Sequence, residues 1–235
     1  MRRFFAPEAK PNTNVTLDDG EARHLRDVLR LSVGDAVSVF DGVGGEMAAV
    51  VESVDKKAVR LNVGQKTEPA SPESHLKLTV ASAVMPGDKY DLIIQKMVEL
   101  GAYRFVPLIT QRTEVTLKAA SQRLERWRRI AFEASKQCGR AFVMQIAELS
   151  LLETVLAEPN VLLFSERDGS ELPDEIESRS LTVVFGPKGG WGDEELETAG
   201  ELGATIVTFG GRILRAETAA IGITAIMQNR FGDMN

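Results

Sequence analysis

The chain has 235 residues, 43% hydrophobic and 26% charged, with a formal net charge of −6, a balance that fits a soluble globular protein of one large domain or two small ones. A single cysteine (Cys138) and two histidines (His24, His75) exclude a disulfide framework, a cysteine-rich metal site and a histidine metal centre. No apolar run nears the ~20 residues of a membrane span. The opening MRRFFAP is too short in apolar residues for a signal-peptide core, so the expected location is the cytoplasm.

Residues 1–71 read as a small β-rich domain. EARHLRDVLRL carries Leu25, Val28 and Leu29 at helical spacing, and DAVSVFDG, GEMAAVVESV and AVRLNVG are β-branched runs parted by turn residues. KTEPASPESH, with two prolines and two serines, is a linker by composition, which places a boundary near Ser71. Residues 72–235 then form the second domain.

In that second part strands alternate with helices. LKLTVASAV (76–84) is a strand, DKYDLIIQKMVELGA a helix ending at Gly101, RFVPLIT a strand, and SQRLERWRRIAFEASKQCG a long helix. NVLLFS, LTVVFGP and TIVTFG follow as solid apolar runs, each closing on a small or turn residue. Such runs mean burial on both faces, the mark of a mostly parallel α/β sheet covered by helices. Ligands in these sheets bind beyond the carboxyl ends of strands, which points to LLFSERDGS, VVFGPKGGWG and VTFGGRILR.

In GPKGGWGDEEL, Gly186 and Pro187 turn the chain, Gly189 and Gly190 allow close backbone approach, and Asp193 is a plausible N-cap for the next helix. Neither a P-loop nor a dinucleotide fingerprint is spelled. In FGGRILRAETA, Phe209 ends a strand, Gly210 and Gly211 bend, and a helix begins near Ala216 or Glu217. Two consecutive glycine-rich strand ends can pinch a flat ligand between backbones. Arg212, Arg215, Glu217 and Thr218 stand before an otherwise apolar helix, AAIGITAIMQN. Charges there suit either a solvated corner or a charged ligand, and their number favours the ligand.

GPKGG with FGGRILRAETA resembles the paired C-terminal signature of the SPOUT, or trefoil-knotted, RNA methyltransferases. HLRDVLRLSVGDAVSVFDGVG, QKMVELGAYRFVPLIT and RWRRIAFEASKQCGR narrow the likeness to the bacterial family that methylates N3 of a uridine in small-subunit (16S) ribosomal RNA. The likeness runs nearly the whole chain in the same motif order. One departure is Lys188, where the family usually has Glu. The resemblance implies an N-terminal PUA-like β-barrel for RNA and a C-terminal SPOUT domain with a trefoil knot. It implies S-adenosyl-L-methionine across three strand ends, at Phe164, Ser165 and Glu166, at Gly186, Pro187, Gly189 and Gly190, and at Phe209, Gly210, Gly211, Ile213 and Leu214, with Thr218 and Ala219 behind. It also implies a homodimer, for which the apolar last helix offers surface.

Uridine N3 must lose its imide proton before it attacks a sulfonium methyl. Arg215 cannot be the base, because guanidinium stays protonated, but it can stabilise the uridinate. Glu217 can be a base or can orient an arginine; the second is expected. No metal is expected. The middle of the chain (72–140) has an excess of basic side chains and residues 141–235 an excess of acid, so phosphate contacts are expected of Arg126, Arg129 and Arg140. Arg2, Arg3, Arg23, Arg26, Arg30 and Arg212 are further candidates for RNA. On the long helix Leu124, Trp127, Ile130, Ala131 and Ala134 share a core face, and Cys138 and His24 read as structural. A knotted enzyme of other specificity (ribose 2′-hydroxyl) and a non-catalytic RNA-binding or assembly protein remain the alternatives.

Overall fold

The computed structural model describes residues 2–56 and 58–234. They divide into two compact units. One takes in the chain up to Glu73 together with Ser135–Val143; the other takes in Ser74–Ala134 and the chain from Met144 onward.

In the first unit β1 (Arg3–Phe5), β2 (Asn14–Thr16), β3 (Ala36–Phe40), β4 (Glu46–Val54) and β5 (Val59–Thr67) form a sheet in the order β1-β3-β4-β5-β2. β1 and β3 are parallel and the other pairs antiparallel. Val59, Leu61 and Val63 are buried while Arg60 and Asn62 between them are exposed, the period of a half-buried strand. The strands of β4 and β5 shift register at Met47/Ala49 and again at Val51/Ser53, and such bulges bend and twist a strand pair.

Helix α1 (Asp19–Arg23) starts at Asp18, whose carboxylate accepts the Glu21 N–H at 2.8 Å. It runs on into a π-helical turn at His24–Val28, closed by the Leu29 N–H donating to the His24 carbonyl. The wider turn rotates the helix phase. Leu25 is buried as the spacing predicts, but Val28 is 66% exposed. The Arg3 guanidinium binds both Glu46 oxygens at 3.0 Å and donates to the carbonyl of Arg140 at 3.1 Å. Lys136 pairs with Glu21, and Arg140 with Glu73. These ion pairs fasten Ser135–Val143 to the rest of the unit.

The second unit is built on β6 (Lys77–Ala83), β7 (Arg104–Ile109), β8 (Gln145–Ile146), β9 (Ser150–Leu151), β10 (Val161–Ser165), β11 (Ser180–Phe185) and β12 (Thr205–Thr208). The sheet order is β12-β10-β11-β6-β7-β8, β9 also pairs with β7, and every pairing is parallel. Its helices are α2 (Lys89–Glu99), α3 (Leu117–Ser121), α4 (Leu124–Cys138, whose last turn from Ser135 belongs to the first unit), α5 (Leu152–Leu156), α6 (Asp193–Glu201) and α7 (Ala216–Phe231). One core layer joins Ala81, Val106, Leu163 and Val184 to Leu156 of α5 and Leu196 of α6. α2 packs against α7, with Ile93, Met97, Ile223 and Met227 buried. On α4 the expected core residues Leu124, Trp127, Ala131 and Ala134 are buried and Ile130 is half-buried. The long helix expected from Ser121 onward is α4, which starts at Leu124, and the separate short helix α3 precedes it.

From β6 the chain steps outward to β7, whereas from β11 it steps the other way to β12. The connections therefore diverge at the β6/β11 pair, and a crevice opens at such a switch point. Between β10 and β11, the loop after Ser165 folds over β12. A Cβ on Gly169 would lie 2.5 Å from the Thr208 nitrogen, and Ser170 bridges to Val207.

Candidate active site

The carboxyl ends of β6, β7, β10, β11 and β12 lie at one edge of the sheet. The loops there build two cavities that share a wall.

The first, about 280 Å³, lies over β10, β11 and β12. Its floor is Phe164 and Phe185, neighbours in register whose rings stack at 5.4 Å and 18°. Trp191, 1% exposed, is held by its Nε1 donating to the Phe164 carbonyl at 2.8 Å. A Cβ on Gly186 would stand 2.9 Å from the Trp191 ring, so the indole requires glycine there. Gly190 has φ +69°, and a Cβ on it would lie 2.7 Å from a Glu166 oxygen. The left-handed turn calls for glycine, while the exposed Glu166 side chain can swing aside.

Ser165, Glu166, Pro187 and Gly189 complete the wall on the β10 and β11 side. Phe209, Ile213 and Leu214 enclose it from β12, and Ala219 from α7. Gly210 (φ +75°) and Gly211 shape the β12–α7 loop without lining the cavity, and Thr218 is exposed outside it. Arg212, expected to meet RNA, lines this first cavity instead.

The second cavity, about 400 Å³, opens at the β6/β11 switch point and shares Pro187, Lys188 and Ala216 with the first. Val84, Met85 and Pro86 follow β6, Lys89 lies in the first turn of α2, and Arg112 and Glu114 follow β7. Arg215, the exposed N-cap of α7, and Glu217 close it. Glu217 Oε1 is 2.6 Å from Lys89 Nζ. That hydrogen bond, with the Glu217 backbone N–H and the Arg215 charge, outweighs burial and holds the Glu217 carboxyl below the usual carboxylate range. The partner of Glu217 is therefore Lys89, where the sequence pointed to an arginine. Arg112 donates from Nη1 to the Gly189 carbonyl at 2.7 Å, which ties the second cavity to the glycine loop of the first.

Lys89, Arg112 and Glu114 were missed in the sequence. The strand-end rule covers β6 and β7 as well, but only the glycine-rich ends drew notice; Lys89 sits in an ordinary helix start and Arg112 in an ordinary turn. The N-cap of α6 is also corrected: it is Gly192, not Asp193. The Glu195 carboxylate accepts from the N–H of Gly192 and of Gln111, each at 2.9 Å, while Asp193 pairs with Arg167.

Among the arginines expected at RNA, Arg2, Arg23, Arg30 and Arg129 are exposed. Arg26 pairs with Asp27 and Arg126 with Asp91, both at the surface. Arg3 and Arg140 are turned inward onto Glu46 and Glu73 in the first unit, and a largely buried guanidinium committed to a carboxylate has little to offer a phosphate. His24 is half-buried with its ring 6.2 Å from Phe4. Among the described residues no group of three or more His, Cys, Asp or Glu is arranged to hold a metal, and no helix is long and apolar enough to cross a membrane.

The RNA methyltransferase PUA domain family matches residues 17–64, and the RNA methyltransferase domain family matches residues 72–228. Ribosomal RNA small subunit methyltransferase E of Synechocystis is 35% identical over 228 residues, covering 93% of this chain and 74% of that one. The protein of the same name from Bacillus subtilis is 32% identical over 245 residues, covering 94% and 93%. The crystal structure of ribosomal RNA small subunit methyltransferase E from Neisseria gonorrhoeae, bound to S-adenosyl methionine, aligns with TM-score 0.89 at 32% identity over 100% of both chains. With two thirds of its length in the RNA methyltransferase domain match and relatives above 30% identity over most of both chains, this chain belongs to the ribosomal RNA small subunit methyltransferase E family of RNA methyltransferases.

Proposed function

We propose that the chain methylates N3 of a uridine in 16S ribosomal RNA, with S-adenosyl-L-methionine held in the first cavity and the uridine presented from the second. The observation that carries this reading is the shared wall of Pro187, Lys188 and Ala216. In-line methyl transfer needs donor and acceptor on opposite sides of one methyl group, and two cavities meeting at a thin wall suit it. The first cavity fits the cofactor by its stacked Phe164 and Phe185, its close backbone at Gly186 and Gly190, and the Glu166 carboxylate as a hydroxyl acceptor. Bound there, the cofactor supplies an electrophilic methyl on a good leaving group. The protein's task is then to position the uracil, exclude water and stabilise negative charge as the N3 proton leaves. Arg215 is the charge-stabilising group, and Glu217, already ionised and paired with Lys89, orients rather than removes the proton.

Incubation of small subunits and of naked 16S RNA with labelled cofactor, followed by nucleoside mass analysis, tests the reading. The expected product is 3-methyluridine, formed equally well in excess chelator. A 2′-O-methyl nucleoside, or cofactor binding that needs a metal, would overturn it.

The same reading includes a trefoil knot, a closed PUA-like barrel, a homodimer and a cytoplasmic location. For the knot, support comes from the β10–β11 loop, which bridges to β12 at Ser170 and pairs through Asp174 with Arg230 near the end of α7, at 2.9 Å. For the barrel, it comes from the two bulges between β4 and β5. For the dimer, it comes from α7, where half-buried Ile221, Ala225 and Ile226 flank exposed Gly222 on one side. Sedimentation at assay concentration is expected to give twice the 25.7 kDa chain mass; a fully active monomer would refute the dimer.

A further inference from the structure

Resting on the assignment of the first cavity to the cofactor, we infer that Arg112 contacts the acceptor nucleotide, extruded from its stack into the second cavity, and that the Gly189 carbonyl sets its position. The charge in this cavity favours an anionic guest. Its cations are Lys89, Arg112, Lys188 and Arg215 and its acids Glu114 and Glu217. Glu217 is spent on Lys89 at 2.6 Å, which leaves three cations facing Glu114. A uridine losing its N3 proton next to its own phosphate is such a guest. Met85, Pro86 and Pro187 supply apolar surface against which a base can lie, and a pyrimidine must leave its stack before its N3 edge can reach a methyl donor.

Arg112 differs from the other cations in its anchorage. One of its five N–H donors is held by the Gly189 carbonyl at 2.7 Å. A Cβ on Gly189 would lie 3.4 Å from Arg112 Cδ, so the side-chain stem runs along the glycine loop. The remaining donors of a planar fork suit a uracil carbonyl or a phosphate. Because Gly189 also lines the first cavity, whatever orders the loop there also orders Arg112.

Arg112→Ala and Arg112→Lys separate this from mere support of the loop. The inference expects the KM for 16S RNA, at saturating cofactor, to rise about 10- to 100-fold in Arg112→Ala, the loss of one charge-assisted contact. Calorimetric cofactor affinity should stay within about twofold of wild type. Arg112→Lys can still reach the Gly189 carbonyl but lacks the fork, so its KM should remain raised. Wild-type KM for RNA in both variants, with weakened cofactor binding, would make Arg112 a prop for the loop and overturn the inference alone. Absence of cofactor binding by the wild type would instead overturn the cofactor assignment, and this inference with it.

Discussion

Arg215→Ala is expected to stay folded, bind S-adenosylmethionine almost as the wild type does, and lose about two to three orders of magnitude in methyl transfer. The size follows from the typical worth of a single donor aimed at developing negative charge. The selectivity follows from position: Arg215 lines the second cavity and not the first, and as an exposed N-cap with no side-chain capping bond it holds little of the fold. Arg215→Lys should rescue poorly, since a lysine presents a point charge where a planar fork meets a carbonyl and its neighbour. If Arg215 only helped the fold, stability, cofactor affinity and turnover would fall together. A lysine variant with wild-type turnover would leave Arg215 as a general electrostatic contact.

Glu217→Gln in the same assay addresses the proton. The Lys89 hydrogen bond depresses the Glu217 pKa, so the carboxylate is ionised throughout the neutral range. A depressed carboxylate stabilises the fold above its unfolded pKa, and that contribution is lost as pH falls through the lower folded value. Lys89 is 56% exposed in this pair, and solvent screening keeps its worth below about 1 kcal/mol. The pH–rate profile should therefore keep its shape in Glu217→Gln, rising toward alkaline pH as solvent takes the imide proton. An acidic limb present in the wild type and absent in the variant would move proton removal to Glu217.

What could be read from the residues alone divides by physical cause. NVLLFS and LTVVFGP are apolar almost throughout because β10 and β11 are buried along their length, while TIVTFG keeps two threonines because β12 is the half-exposed edge strand; the number of these strands and their cavity-lining ends were still legible. Gly190 was legible as a close-approach position and Gly186 as a turn residue. Their surroundings were not: the Trp191 ring lies in the same loop but meets Gly186 only once the loop folds back, and the Glu166 carboxylate comes from the end of β10. Lys89 and Arg112 escaped for the same cause: their roles depend on Glu217 and Gly189, 128 and 77 residues away. The π-helical turn at His24–Val28 leaves the apolar spacing looking helical while it displaces Val28. The inward turn of Arg3 and Arg140 likewise depends on Glu46 and Glu73, which no local pattern pairs with them.

Gly190→Val should weaken cofactor affinity by about 100-fold or more while leaving the first unit folded. At φ +69° an ordinary L residue costs about 1–2 kcal/mol, and a β-branched one more. A Cβ there would also stand 2.7 Å from the exposed Glu166 carboxylate, which swings aside and takes its hydroxyl-accepting oxygens out of place in the first cavity that it lines. About 3 kcal/mol of combined strain and displacement corresponds to roughly two powers of ten in affinity. Gly189→Ala is milder by the same reasoning, because its Cβ would make only ordinary contact with Arg112 Cδ at 3.4 Å. Gly200→Ala in α6 is the control: nothing lies within 4 Å of the added carbon, and replacing a helical glycine stabilises by roughly 0.5–1 kcal/mol. Titration calorimetry of the three variants, with circular dichroism to confirm folding, should rank cofactor affinity as Gly200→Ala near wild type, Gly189→Ala slightly reduced and Gly190→Val nearly abolished. Wild-type affinity in a folded Gly190→Val variant would mean that the cofactor does not touch this loop, and the first cavity would lose its assignment.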